Sequence, residues 1–135
     1  MELDIPEGKQ IKKNYVGKNL KNYDSMLVLS HFKGHPMGGY GGAIKQLSIG
    51  VASSYGKKYI HGVGDVNNFW GSDHDSFLEA MADAAKSVVD FFDGKIYLTF
   101  DRERTGAKEI RLLVFTEDDI ISPDTTLHSV IISKP

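Results

Sequence analysis

The sequence contains no cysteine. Disulfides, thiol nucleophiles and cysteine-ligated clusters are therefore excluded for this chain as given. No apolar run approaches the ~18 residues that a bilayer-spanning helix needs. The opening Met1-Glu2-Leu3-Asp4-Ile5-Pro6 has neither the basic stretch nor the apolar stretch of a secretory signal. Charge of one sign is also scarce: 16 Lys and Arg against 18 Asp and Glu leave a formal net charge of -2. An obligate nucleic-acid or membrane-surface binder is not expected from that balance. Internal repeats and low-complexity tracts are missing. The expectation by default is a cytoplasmic protein with neither nucleic acid nor membrane among its partners.

What is present fits one soluble domain. The chain has 135 residues, 41% hydrophobic and 25% charged, enough to bury about two thirds of its unfolded surface in one core. The balanced charge hides two unlike halves. Residues 1–64 hold nine Lys and four acids, a local charge of +5, and residues 65–135 hold seven Lys or Arg and fourteen acids, a local charge of -7. Opposite halves attract within one fold or face different partners. Glycine is uneven too: nine of the 14 lie between Gly34 and Gly64.

Periodicity gives a coarse order of elements. Residues 9–24 are polar, with one short helix expected near Val16–Asn22. Ser25–Ser30 is an apolar run too short for a buried helix and reads as a buried strand. A glycine-rich turn spans Gly34–Gly42, a short helix is expected over Ala43–Ala52, and Ser53–Gly71 reads as loop. The strongest helix is Asp75–Phe92, where Phe77, Met81, Ala84, Ala85, Val88 and Phe92 share one face. Ser76 with Glu79 fits a capping box, Ser72 or Asp73 offers another cap, and Gly94 is placed to end the helix. Strands are expected over Lys95–Phe100, Ile110–Thr116 and Leu127–Ser133, with a hairpin turn at Thr105-Gly106-Ala107. The order implies an α/β domain with a small mixed sheet and two or three helices.

The segment most able to carry chemistry runs from Ser30 to Lys45. It begins where a strand ends, the usual place for ligands in open α/β sheets. Gly38, Gly39, Gly41 and Gly42 let backbone approach a ligand, a helix opening at Gly42 or Ala43 presents free N–H groups, and Lys33 and Lys45 add charge. A small anion such as phosphate or carboxylate is the expected ligand. The dinucleotide pattern fails, because Gly39-Tyr40-Gly41 is followed by Ile44 where glycine is required, and no phosphate-loop G-x-x-x-x-G-K-[ST] exists. The plainer alternative is a glycine turn that only packs helix against sheet.

His31 and His35 are the candidate ligands for a divalent metal, with His61 or an acid as a third. Gly34 and Pro36 oppose the helix that would put both rings on one face, so the alternative is two loop histidines bonded to backbone. Asp73-His74-Asp75 sits where a helix begins, which explains its acids without a metal. His31, His35 and Asp65 would also serve a hydrolase or lyase. No G-x-S-x-G surrounds Ser30, Ser53 or Ser54, and Glu117-Asp118-Asp119 has no calcium-loop spacing. Phe69 and Trp70 read as an anchor or a lid.

Three stretches taken together carry a family resemblance: Val28–His35, Gly38–Lys45 and Ser48–Ser53 with Gly56-Lys57. Tyr15–Leu20 and Asp75–Ala85 agree with it. The chain resembles the domain of unknown function numbered 362, the uncharacterised iron–sulfur centre proteins of bacteria and archaea. The resemblance covers residues 1–100 and does not extend over 101–135. It implies redox or metal-linked work and a larger family fold, of which this sheet forms part. Because the chain lacks cysteine, no residue here inherits an iron–sulfur role. Two readings stay open: a short relative that uses the histidine–glycine loop, or a non-catalytic fragment or interaction module whose partner is the missing remainder of a longer iron–sulfur protein.

Overall fold

The computed structural model describes residues 1–31, 33–68, 72–93, 95–101, 110–116 and 119–120, with backbone alone at 31, 40, 97–101, 110–116 and 119–120. Strands β1 (Glu2–Asp4) and β2 (Lys13–Tyr15) form an antiparallel ribbon, Leu3 opposite Asn14. A 3₁₀ turn, Lys18–Asn22, leads to β3 (Met26–His31). A hairpin of β4 (Lys33–His35) and β5 (Gly39–Gly41) follows. Next comes α1 (Ala43–Lys45), which widens directly into a π turn at Gln46–Gly50. Two further helices, α2 (Ser54–His61) and α3 (His74–Phe91), precede β6 (Ile96–Asp101), β7 (Ile110–Thr116) and β8 (Asp119–Ile120). The main sheet has the order β3-β6-β7-β8. Its β3–β6 pair is parallel and its other pairs are antiparallel, the small mixed sheet of an α/β fold.

Helix α3 is the spine. Asp73 caps it by accepting the Ser76 N–H at 3.0 Å, so Ser76 is not the cap, and Glu79 turns away to Lys9 and Gln10. The bond to the Ser76 N–H holds the Asp73 carboxyl below its usual range. Phe77, Ala80, Met81, Ala84, Ala85 and Val88 are buried at helical spacing, as the periodicity requires. Val88 and Ala85 join Leu3, Val16, Val28, Leu47, Phe92 and Ile96 in one core cluster. Phe77, Ala80, Met81 and Ala84 join Ile5, Ile11, Ala52 and Ile60 in another.

Three differences from the sequence reading have physical causes. Strand β3 is buried on one face only: Val28 and Ser30 are covered, whereas Leu29 is 66% exposed. Residues 54–61 are helix, not loop. Ser53 caps that helix by accepting the Gly56 N–H at 3.1 Å, and Gly56 is required because a β-carbon there would stand 2.0 Å from the Tyr15 carbonyl oxygen. The glycine marks close packing rather than a turn. The expected helix over 43–52 is instead one α turn and one π turn, with Ile44 exposed. Ser48 Oγ donates to the Ile44 carbonyl oxygen at 2.8 Å, a back-bond that loosens helical geometry. The expectations for Phe69, Trp70, Gly94, the 105–107 turn, Glu117-Asp118 and the 127–133 strand lie outside the described residues.

Candidate functional site

The histidine–glycine segment is a hairpin, not an open turn. Lys33 pairs with Gly41, Gly34 with Tyr40 and His35 with Gly39, leaving Pro36-Met37-Gly38 as a three-residue tip. Proline presets φ at the first tip position. Gly39 takes φ +67°, a conformation that side chains other than glycine rarely accept. The hairpin continues the carboxyl end of β3, and α1 starts one residue after it, with α1 packed on β3 and β6.

The hairpin brings together the two lysines that the sequence singled out. Gly41 is buried, and a β-carbon built on it would stand 3.6 Å from Lys45 Cδ and 3.8 Å from Lys33 Cγ. Both stems therefore lie over one glycine, within van der Waals reach of any side chain built on it. Burial and the neighbouring Lys33 charge push the Lys45 ammonium below its ordinary range. The Lys33 charge opposes that of Lys45, an opposition that an anion would relieve. Gly38 and Gly39 lie at the hairpin tip and Gly42 precedes α1. Gly42 has extended backbone and makes no side-chain cap. The α turn it opens is too short for a substantial helix dipole, so the charge comes from the lysines.

His35 belongs to the same cluster. Its Nδ1 accepts the N–H groups of Met37 at 3.3 Å and Gly38 at 3.0 Å. Burial, then Lys45, His61 and Lys33, hold this imidazole below its ordinary range. With Nδ1 accepting, the neutral ring carries its proton on Nε2. A metal at Nε2 would need that proton moved onto Nδ1, toward two N–H groups. The hydrogen bonding thus suits a donor to an anion better than a metal ligand. The His31 side chain lies outside the described residues. Among the described residues no three His, Asp or Glu side chains converge as a metal site requires.

The other sequence candidates have structural partners. Asp65 Oδ1 accepts the Asn67 N–H at 2.9 Å in its own turn. His61 Nδ1 donates to the Lys57 carbonyl at 2.7 Å, and its ring lies 4.9 Å from that of Phe77. Asp73 is the α3 cap. One polar group was not legible as a site residue: Ser30 is 3% exposed at the end of β3, and its Oγ has no hydrogen-bond partner among the described residues. A small polar residue ending an apolar strand is the only sequence signal for it.

The family model described as Domain of unknown function (DUF362) matches residues 1–117. That match extends past Phe100, where the sequence resemblance fades, and takes in β7. No curated protein and no solved structure matches.

Proposed function

Since the chain belongs to the DUF362 family, a domain of unknown function, we propose from the site's own geometry that it holds a small anionic ligand on the loop from Lys33 to Lys45. The observation that supports this most is the pair of lysine stems crossing Gly41. Lys33 and Lys45 supply charge, the His35 Nε2–H supplies a directed donor, Gly38 and Gly39 leave backbone accessible at the tip, and the buried Gly41 and Gly42 carry no side chain beneath the lysine stems. No iron–sulfur cluster enters this reading, because the chain has no cysteine. No helix of the described residues is long and apolar enough to cross a membrane, and a cytoplasmic setting with a diffusible ligand is part of the proposal.

Calorimetric titration with inorganic phosphate tests it, with divalent metals as the competing ligand class. Saturable phosphate binding that weakens with added salt and in Lys45→Ala supports the reading. Phosphate affinity unchanged in Lys45→Ala refutes it. Tight zinc or manganese binding without phosphate binding would return the loop to the metal reading through His31 and His35.

A further inference from the structure

The His35 ring does two incompatible jobs around this loop. While neutral, its Nδ1 accepts the Met37 and Gly38 N–H groups and closes the hairpin tip. Once protonated, Nδ1 becomes a donor and can accept neither. The charged and titratable groups facing the ring are Lys33 from β4, Lys45 from α1 and His61 from α2. Burial first, and then the positive charge of Lys45 and Lys33, disfavour the imidazolium while no anion is present. An anion between the lysines inverts the local field and favours the imidazolium.

We propose that a dianionic, phosphate-type ligand binds this loop together with one proton, which enters His35 Nδ1 and frees the Met37 and Gly38 amides to donate to the ligand. This rests on the anion reading above. The proton comes from solvent and bonds to Nδ1. Two N–H···N hydrogen bonds end, and no covalent bond to the ligand forms. The freed amides are the successive N–H groups of Met37 and Gly38, just before Gly39, where the space about the β-carbon position is open, and successive backbone N–H groups in such a turn form an anion-binding concavity. A monoanion offsets one lysine and leaves the other opposing the imidazolium. A dianion offsets both, so the linkage selects for two charges. In the unliganded loop the imidazole therefore occupies the very amides that the ligand needs.

Inorganic sulfate is the probe, because it keeps both charges while histidine titrates. Its affinity is measured by calorimetry between about pH 5 and about pH 8. The Met37 and Gly38 amide signals and the His35 ring signals are followed by NMR over the same range. Sulfate affinity is expected to rise on acidification, about tenfold for each unit by which sulfate lifts the His35 titration. The two amide signals are expected to move with the ring. In His35→Gln the affinity is expected to lose its pH dependence. Sulfate binding that is equally tight across the range overturns the proton linkage and leaves the anion site standing. A pH slope that persists in His35→Gln also overturns it, by assigning the proton elsewhere. Amides that ignore the ring titration in the wild-type chain overturn it without recourse to any variant. No sulfate binding at any pH overturns the anion site itself.

Discussion

Gly41 offers the sharpest separation of packing from binding. The position is buried, and its backbone is outside the left-handed region. A β-carbon there meets Lys45 Cδ at 3.6 Å and Lys33 Cγ and O at 3.8 Å, ordinary van der Waals contacts. Gly41→Ala is therefore expected to fold and to gain about 0.4–1 kcal/mol, chiefly by restricting the unfolded chain. Valine adds two methyl carbons about 1.5 Å beyond that β-carbon, into the space of the stems. Because lysine stems are flexible, they swing aside at less than the full cost of core overpacking, which is about 1–3 kcal/mol. Their ammonium groups move with them. At an effective dielectric of about 20, taking one ammonium from about 4 Å to about 6 Å of a unit negative charge weakens the attraction by about 1.4 kcal/mol. Solvent at the half-exposed Lys45 reduces that, so the expected loss of phosphate affinity is about five- to tenfold. Thermal melts and phosphate calorimetry on the two variants read both quantities. If Gly41→Val binds phosphate as tightly as Gly41→Ala, the stems do not form the site.

Asp83 accepts the Lys9 N–H at 3.0 Å, the Gln10 N–H at 2.7 Å and the Ile11 N–H at 3.1 Å, tying the loop before β2 to α3. Asp83→Ala is expected to cost about 2–4 kcal/mol, since three charge-assisted bonds are lost and three N–H groups are left without the carboxylate; urea denaturation measures it, and a loss under about 0.5 kcal/mol contradicts the account. Gly56→Ala would press a β-carbon to 2.0 Å from the Tyr15 carbonyl oxygen, so its urea midpoint is expected to fall well below that of Gly41→Ala. The fold also holds the His35 imidazole below its ordinary range. The unfolded chain therefore binds more protons in that window, and stability rises with pH there. This contribution is present above about pH 6.5 and is lost as pH falls through the folded-state titration. Urea midpoints across that range are expected to fall on acidification in the wild-type chain and to fall less in His35→Gln.

The sequence made the long periodic elements legible and left the short ones hidden. Helix α3 reveals a helical period, strands β3, β6 and β7 carry apolar, β-branched and aromatic runs, and the observed bounds of all four lie within a residue or so of expectation. Strands β1 and β2 have three residues each, and β2 places Asn14 rather than an apolar residue inward. No alternation can be counted there. Asn14 is buried because its Nδ2 donates to the Ala84 carbonyl and Ser87 Oγ, partners set by tertiary structure alone. Helix α2 was hidden by Gly56, whose role is to let backbone touch Tyr15. At the site, Lys33, Lys45 and the glycines could be named from residue type and order. Their convergence over Gly41 depends on the hairpin register, which pairs Lys33 with Gly41. The occupation of His35 Nδ1 by two amides depends on the tip conformation, and no spacing rule encodes it.

The most direct measurement is a ¹H–¹⁵N spectrum of the whole chain titrated with inorganic phosphate. The account predicts saturable shifts concentrated in residues 33–45, strongest at Met37, Gly38 and Gly41, and diminished in Lys45→Ala. Shifts that centre elsewhere in the chain, or a spectrum that phosphate leaves unmoved, would contradict it.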